Sequence, residues 1–277
     1  MKKHKVPCKK FYRQRAHCNP LSDSYIRYPV NCSYVNWCVH YPQLSTREHE
    51  DDGSLSLCDA QVEPIVREEG SIQLNTNKYP ICYDKIVPKN NFLGEVSILD
   101  IGCGYGGLLF SLSKIFYDKL ILGMEIRDKI TNYVGEKINS YRKNYSPHYK
   151  NISVIRTNAM KFLPNYISKN QIEKIFFCFP DPHFKKQNWR RRIITIENLS
   201  LYYYILKKNG LIYFITDVYT LYLWVKFCFS KYPNFYLLTL EECKNDICVQ
   251  LIHESSEESK RVKKNKQAMY FCVARKM

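Results

Sequence analysis

The sequence predicts an α/β fold in which a mostly parallel sheet is covered by helices on both faces. From Val96 onward, short apolar runs alternate with longer stretches of helical spacing, which is the pattern of successive βαβ units. The first apolar run leads directly into a cluster of glycines, as the first strand does in doubly wound sheets. With 277 residues, the chain is long enough for one large domain of this kind.

The strands are predicted from short continuous apolar runs, because strands of a parallel sheet are buried on both faces. These runs are residues 96–101, 119–126, 152–156, 172–179, 211–216 and 267–274. Helices are predicted for residues 108–116, 128–143, 190–208 and 219–230. The third helix should end at Asn209-Gly210, since asparagine and glycine commonly follow the last turn of a helix.

Three regions are expected along the chain. Residues 1–42 form a basic N-terminal arm and a lead-in segment, and we expect the start of the arm to be flexible and able to lie along phosphates. Residues 43–95 carry few periodic apolar runs and read as a loop or insertion. Residues 96–277 form the folded domain.

The composition indicates a polyanionic partner. Lys and Arg number 42 against 26 Asp and Glu, which gives a formal net charge of +16. No apolar run reaches the roughly 18 residues of a membrane-spanning helix, and the basic N-terminus has no apolar stretch behind it, so we expect neither a membrane span nor a signal peptide. The twelve cysteines form no CxxC pair, so we expect reduced core residues and no structural metal.

Side chains suited to a nucleoside ligand follow the first three strands. Asp100 precedes a glycine turn that includes Gly102 and Gly104, and Glu125 ends the second strand, where a carboxylate can accept both ribose hydroxyls. NAD and S-adenosylmethionine both contain that ribose. Asp100 would repel a pyrophosphate, and Asn158-Ala159 after the third strand is placed as in enzymes that hold an adenine there, so S-adenosylmethionine is favoured.

The fourth strand is followed by a carboxylate between two prolines and then by a basic cluster. Pro180 and Pro182 restrict the backbone around Asp181, which could therefore hydrogen-bond a base edge at small entropic cost. The basic residues that follow are Lys185, Lys186, Arg190, Arg191 and Arg192. Because cations at a helix N-terminus oppose the helix dipole, a phosphate-binding role is favoured over an ordinary exposed helix start.

Several motifs together resemble the eukaryotic tRNA (guanine-N7-)-methyltransferases. They are RQRAHCNP (13–20), DIGCGYGGLL (100–109), LGMEIR (122–127), NAMKFLPN (158–165), FPDPHFK (179–185), ITDV (215–218) and SSEESKRV (255–262). The resemblance implies a Rossmann-like class I methyltransferase with a mostly parallel seven-stranded sheet. It implies methyl transfer from S-adenosyl-L-methionine to guanine N7 in the variable loop of tRNA, at position 46.

The resemblance also assigns residues and partners. Asp181 would be catalytic. The cofactor site would be formed by Gly102, Gly104, Glu125, Arg127, Asn158, Ala159, Cys178, Ser256 and Glu258. Substrate would contact His183, Asp217 and the basic cluster Lys185, Lys186, Arg190, Arg191 and Arg192. A non-catalytic WD-repeat propeller subunit would form a heterodimer with the chain, and the nucleus, with the cytoplasm second, would be its location.

Four alternatives stay open from the residues alone. The fold could serve as an inactive RNA-binding module, although that would not explain acidic or amide side chains at four strand ends. GxGxxG allows an NAD-dependent oxidoreductase, but no hydride-transfer partner is evident. An adenine-N6 methyltransferase would need a different order around the prolines, and a membrane-surface protein would need a lipidation signal or basic amphipathic helix.

Overall fold

The structure, a computed structural model, describes residues 3–15, 18–22, 26–42 and 94–277. The predicted insertion at 43–95 lies outside the described residues except for Gly94 and Glu95, so the three-region division stays a prediction. Strand β1 begins directly after these two residues.

The described residues form a seven-stranded sheet. Its strands are β1 (Val96–Ile101), β2 (Leu120–Glu125), β3 (Ile152–Arg156), β4 (Ile172–Cys178), β5 (Leu206–Thr216), β6 (Phe235–Leu237) and β7 (Tyr270–Lys276). The strand order is β3-β2-β1-β4-β5-β7-β6, and β7 alone runs antiparallel to its neighbours β5 and β6. The predicted fold class is therefore confirmed: this is a Rossmann-like sheet of the class I methyltransferase type.

Helices cover both faces of this sheet. They are α1 (Trp37–His40), α2 (Gly107–Ile115), α3 (Asp128–Asn144), α4 (Ala159–Tyr166), α5 (Ile196–Ile205), α6 (Tyr219–Lys231), α7 (Leu240–Cys243), α8 (Ile247–Glu254) and α9 (Glu257–Lys264). Helices α4, α5 and α6 pack on one face and α2, α3 and α8 on the other. Successive side chains of β1 point to opposite faces of the sheet. Leu99 packs in the hydrophobic cluster that includes α4, α5 and α6, and its neighbour Ile98 packs in the cluster that includes α2, α3 and α8.

The single long helix predicted for residues 190–208 is wrong. A 3-10 turn spans Lys186–Arg191, α5 covers only Ile196–Ile205, and the chain enters β5 at Leu206. Asn209-Gly210 marks an irregularity within β5, where the register with β4 shifts and Asn209 has φ +63°. Left-handed backbone suits asparagine at a strand bulge as well as at a helix end, so the dipeptide alone could not distinguish the two.

The N-terminal arm differs from the flexible tail that its composition suggested. The described residues 3–15 lie along α3, where Ser140 Oγ donates to the carbonyl of Lys5 at 3.0 Å and the Tyr12 hydroxyl donates to Glu136 at 2.6 Å. The lead-in segment is anchored more deeply, because the fully buried Tyr41 donates to the carbonyl of Ile121 in β2. Both segments therefore pack on the folded domain.

Candidate active site

Two adjoining cavities lie beyond the carboxyl ends of β1 to β5. Strand β1 is flanked by β2 and β4. The connection from β1 to β2 runs to one side of β1 and that from β3 to β4 returns to the other side, so a crevice opens at the carboxyl end of β1. The first cavity is lined by the predicted residues Gly102, Glu125, Arg127, Asn158, Ala159, Cys178, Asp181, His183 and Arg191. The second is lined by Gly102, Gly104, Arg127, Cys178, Asp181, Asp217, Ser256 and Glu258.

The glycine turn after β1 forms the floor between the cavities. Gly102 has φ +74°, and a Cβ built on it would meet nothing within 4 Å, so its backbone faces open space. Gly107 is required for a different reason. A side chain there would collide with the carbonyl oxygen of Ser255 and the carboxylate of Glu257, which pack directly against the start of α2.

Glu125 ends β2 and is 3% exposed. Its carboxylate accepts five hydrogen bonds: from the backbone N–H groups of Gly104, Ile126 and Arg127, and from Nε and Nη2 of Arg127 at 3.0 and 2.8 Å. The backbone donors fix its orientation toward the first cavity. A pair of ribose hydroxyls would compete with the Arg127 guanidinium for the carboxylate oxygens.

Asn158 also lines the first cavity. Its Oδ1 accepts from the backbone N–H of Met160 at 3.1 Å and so caps α4, while its Nδ2 donates to the carbonyl of Pro20. Pro20 and Cys18 also line this cavity. The N-terminal segment therefore forms part of the wall beside Asn158, a contribution that the sequence reasoning missed.

The second cavity is acidic. Asp100 is 2% exposed, and burial, together with the nearby carboxylates of Glu125 and Glu257, raises its pKa to about 7. Its Oδ2 accepts no hydrogen bond from any described residue. Glu257 sits close to this group and also pairs with Lys9 of the arm at 2.7 Å. A ligand with positive charge would favour ionised Asp100.

Ser256 and Glu258 lie at the cavity, but each already has a partner. The Ser256 hydroxyl accepts from the backbone N–H of Ser259 at 3.0 Å and caps α9. Glu258 forms an ion pair with Arg261 at 2.6 Å, and about half of its side chain is exposed. Glu257 is the carboxylate that approaches the glycine turn. Because neighbouring acids are equivalent in a sequence pattern, only the helix geometry separates Glu257 from Glu258.

Among the described residues, Asp181 is the one carboxylate that lines both cavities. Its side chain is 26% exposed. Its Oδ1 accepts the backbone N–H of His183 at 3.3 Å, and its Oδ2 lies 3.9 Å from His183 Nε2. Since it lines the cavity of Glu125 and Asn158 and also that of Asp100 and Ser256, it faces any ligand that spans both.

The basic cluster is divided by the structure. Lys185, Lys186 and Arg190 are exposed, and Arg191 lines the first cavity. Arg192 is a correction to the predicted phosphate-binding set, because it is 5% exposed and its Nε donates to the carbonyl of Pro182 at 2.9 Å. This guanidinium is therefore much less accessible to RNA phosphates than the side chains of its exposed neighbours Lys185, Lys186 and Arg190.

Comparison with known proteins agrees with the geometry. A family model described as "Putative methyltransferase" matches residues 94–272. A tRNA (guanine-N(7)-)-methyltransferase of Arabidopsis thaliana is 40% identical over 273 residues, which cover 98% of this chain and 92% of the relative. The enzyme of the same name from Kluyveromyces lactis is 41% identical, over 98% of this chain and 84% of the relative, and that of Zea mays is 38% identical, over 99% and 94%.

The chain belongs to the tRNA (guanine-N(7)-)-methyltransferase family. Members of this family are S-adenosyl-L-methionine-dependent enzymes, and the site fits that cofactor. The open backbone at Gly102 leaves room for it, the Glu125 carboxylate offers acceptors to hydroxyl groups, and the acidic wall at Asp100 suits a cationic sulfonium and ammonium. No helix of the described ranges is both long and apolar enough to span a membrane.

Within 3–15, 18–22, 26–42 and 94–277, no group of three or more His, Cys, Asp or Glu side chains is arranged to hold a metal ion. The thiol of Cys178 lines both cavities, and burial raises its pKa well above the ordinary value, so it contributes a neutral surface rather than a nucleophile.

Proposed function

We propose that this protein methylates guanine N7 at position 46, in the variable loop of tRNA, and that Asp181 orients the base. Membership of the tRNA (guanine-N(7)-)-methyltransferase family supports the reaction type. The observation that carries the role of Asp181 is its position on the walls of both cavities, beside the predicted cofactor residues.

The reaction depends mainly on aligning guanine N7 with the methyl group of the cofactor. Guanine N7 has an in-plane lone pair, so no proton must leave before it attacks. S-adenosyl-L-methionine supplies an electrophilic methyl group when it is bound. Holding the base in line with that group can lower the barrier by up to about 7–11 kcal/mol. The residues of this chain therefore act chiefly by binding and orienting.

Asp181 is suited to that task because its backbone is restrained. Prolines flank it on both sides, and its carboxylate is held by the His183 amide. One carboxylate can accept hydrogen bonds from the N1–H and N2–H₂ edge of guanine, which fixes the ring in its plane. As the five-membered ring of guanine gains positive charge, the same carboxylate stabilises it electrostatically. No transfer of the N1 proton is required.

The exposed cations provide the surface for tRNA. Lys185, Lys186 and Arg190 follow the Asp181 loop directly, and Lys260 to Lys266 extend along and beyond α9, whose first residues line the second cavity. We propose that these groups contact tRNA phosphates and that Asp217 and His183 contact the target nucleoside. The guanosine would leave its stack to reach the crevice.

A WD-repeat propeller subunit is proposed as partner, in a heterodimer, with the nucleus as the main location. Helix α6 offers a surface for such a partner, because Tyr219, Leu223 and Phe227 recur every four residues and are each about half exposed. Changing Phe227 to Glu should abolish co-purification with a co-expressed propeller subunit.

Imaging of the tagged chain in cells tests the proposed nuclear location.

One experiment tests the proposed reaction. The protein is incubated with methyl-labelled S-adenosyl-L-methionine and bulk tRNA, with and without a propeller subunit, and the labelled base is mapped. Label at N7 of the variable-loop guanosine supports the proposal. Binding of tRNA without any transfer, in both preparations, would instead favour an inactive RNA-binding module.

A further inference from the structure

Arg192 is buried against two indole rings that also contact each other. Its guanidinium carbon lies 4.7 Å from the ring centre of Trp189 and 5.0 Å from that of Trp224, and the two rings are 5.4 Å apart. A guanidinium within about 5 Å of two aromatic ring centres is held by cation–π attraction, which is stronger where water is excluded. The side chain therefore has a fixed position in the structure.

The backbone that carries Arg192 is fixed as well. Asn198 Nδ2 donates to the carbonyls of Arg192 and Ile193, at 3.3 and 2.9 Å. Tyr202 donates to the Ile193 carbonyl at 2.8 Å, and Trp224 Nε1 donates to the Ile194 carbonyl at 2.9 Å. Side chains of α5 and α6 thus hold three consecutive carbonyls, and Arg192 extends from a rigid base.

The group that Arg192 reaches is the loop of Asp181. Its Nε donates to the carbonyl of Pro182, the residue directly after Asp181. This loop needs external support because its backbone is strained. Phe179 has φ +50° and His183 φ +45°, which are uncommon for residues with side chains and persist only where the surroundings hold them.

We propose that Arg192 is a positioning residue for the methyl transfer. Through its hydrogen bond to Pro182 it fixes the position of the Asp181 carboxylate. This rests on the proposed role of Asp181. The clamp of Trp189, Arg192 and Trp224 transmits the rigidity of α5 and α6 to the loop. It assigns to Arg192 a function different from that of its neighbour Arg190, which is exposed and available to phosphates.

Variants of Arg192 test the proposal in the full-length enzyme, with its partner subunit if activity requires one. Arg192→Met keeps the length of the stem and removes the donor, while Arg192→Lys keeps the charge but has neither a planar guanidinium to contact the two rings nor an Nε–H to donate to Pro182. Arg275→Met is the control, because Arg275 also lies over an aromatic ring, Tyr236 at 5.2 Å, but on β7 away from both cavities. We measure kcat, KM for tRNA, calorimetric affinity for S-adenosyl-L-methionine, and amide hydrogen exchange in residues 179–184.

For Arg192→Met we expect kcat to fall on the order of 10- to 100-fold, because small displacements of a positioning group cost that much. The KM for tRNA and the cofactor affinity should change less than about threefold, and exchange should accelerate in 179–184 alone. The kcat and the exchange rate of Arg192→Lys should lie between those of Arg192→Met and of the unaltered enzyme. Arg275→Met should have the kcat and the exchange rate of the unaltered enzyme.

Three results would overturn the proposal: a raised KM with normal kcat, full activity in Arg192→Lys, or a lowered kcat with unchanged exchange in the loop. If Arg192→Met does not fold, Arg192→Lys decides alone, since normal kcat and normal exchange there contradict the clamp. If the unaltered enzyme transfers no methyl group to guanine N7, the proposed function fails, and the exchange measurement still reports whether Arg192 holds the loop.

Discussion

The carboxyl of Asp100 should make the folded protein less stable as the pH rises. Burial and the neighbouring acids raise its pKa from 3.8 to about 7 in the folded chain. The unfolded chain therefore releases this proton near pH 4, while the folded chain keeps it until about pH 7. Stability from this group is fully present below pH 4 and is lost progressively up to pH 7.

The size of the effect follows from the two pKa values. Each unit of difference corresponds to about 1.4 kcal/mol, so the whole change amounts to about 4 kcal/mol. Between pH 5 and pH 8 the linkage gives about 2–3 kcal/mol. Asp100→Asn has the same shape but cannot ionise, so its stability relative to the unaltered protein should rise by that amount between the two pH values.

Urea unfolding followed by tryptophan fluorescence measures this difference at both pH values, with the exposed Asp118→Asn as control for the loss of a surface carboxylate. Asp100→Asn should also bind S-adenosyl-L-methionine more weakly at pH 8, since the cationic ligand favours the ionised acid. A stability difference that stays the same at pH 5 and pH 8 would refute the reasoning.

Two further predictions concern binding. Affinity for tRNA should fall steeply as the salt concentration rises. Neutralising Lys185, Lys186 and Arg190 together should reduce the slope of log affinity against log salt concentration by about three, roughly one for each phosphate contact. A flat salt dependence in the unaltered protein would contradict this prediction. Glu125→Gln should lower the affinity for S-adenosyl-L-methionine, measured by calorimetry, on the order of 10- to 100-fold, because one charged acceptor is lost. An unchanged affinity would show that Glu125 does not bind the cofactor.

The sequence was sufficient for six of the seven strands and for the strand-end residues. Continuous apolar runs located the strands of the parallel part, and the rule that ligands bind at carboxyl ends brought Glu125, Asn158 and Asp181 to one crevice, where the structure has them. The short edge strand β6 was missed because three residues carry no periodic signal.

The finer geometry depended on long-range packing. Arg192 looked like its exposed neighbours, and only the positions of Trp224 in α6 and Pro182 after β4 make it a buried donor. In the same way, no local pattern indicates that the Pro20 carbonyl meets Asn158 across more than a hundred residues. The spacing of residues in the sequence predicts where strands end, but it does not predict contacts between segments that are far apart in the chain.

Methyl transfer by Asp181→Ala and Asp181→Asn, compared with their affinity for S-adenosyl-L-methionine, tests the central claim most directly. The account predicts that turnover on tRNA falls by at least about 100-fold in both variants, because the charge that opposes the developing guanine cation is gone. Calorimetry should give a cofactor affinity close to that of the unaltered protein, since the ribose and adenine contacts are assigned to Glu125 and Asn158. Near-normal turnover in either variant would contradict the account.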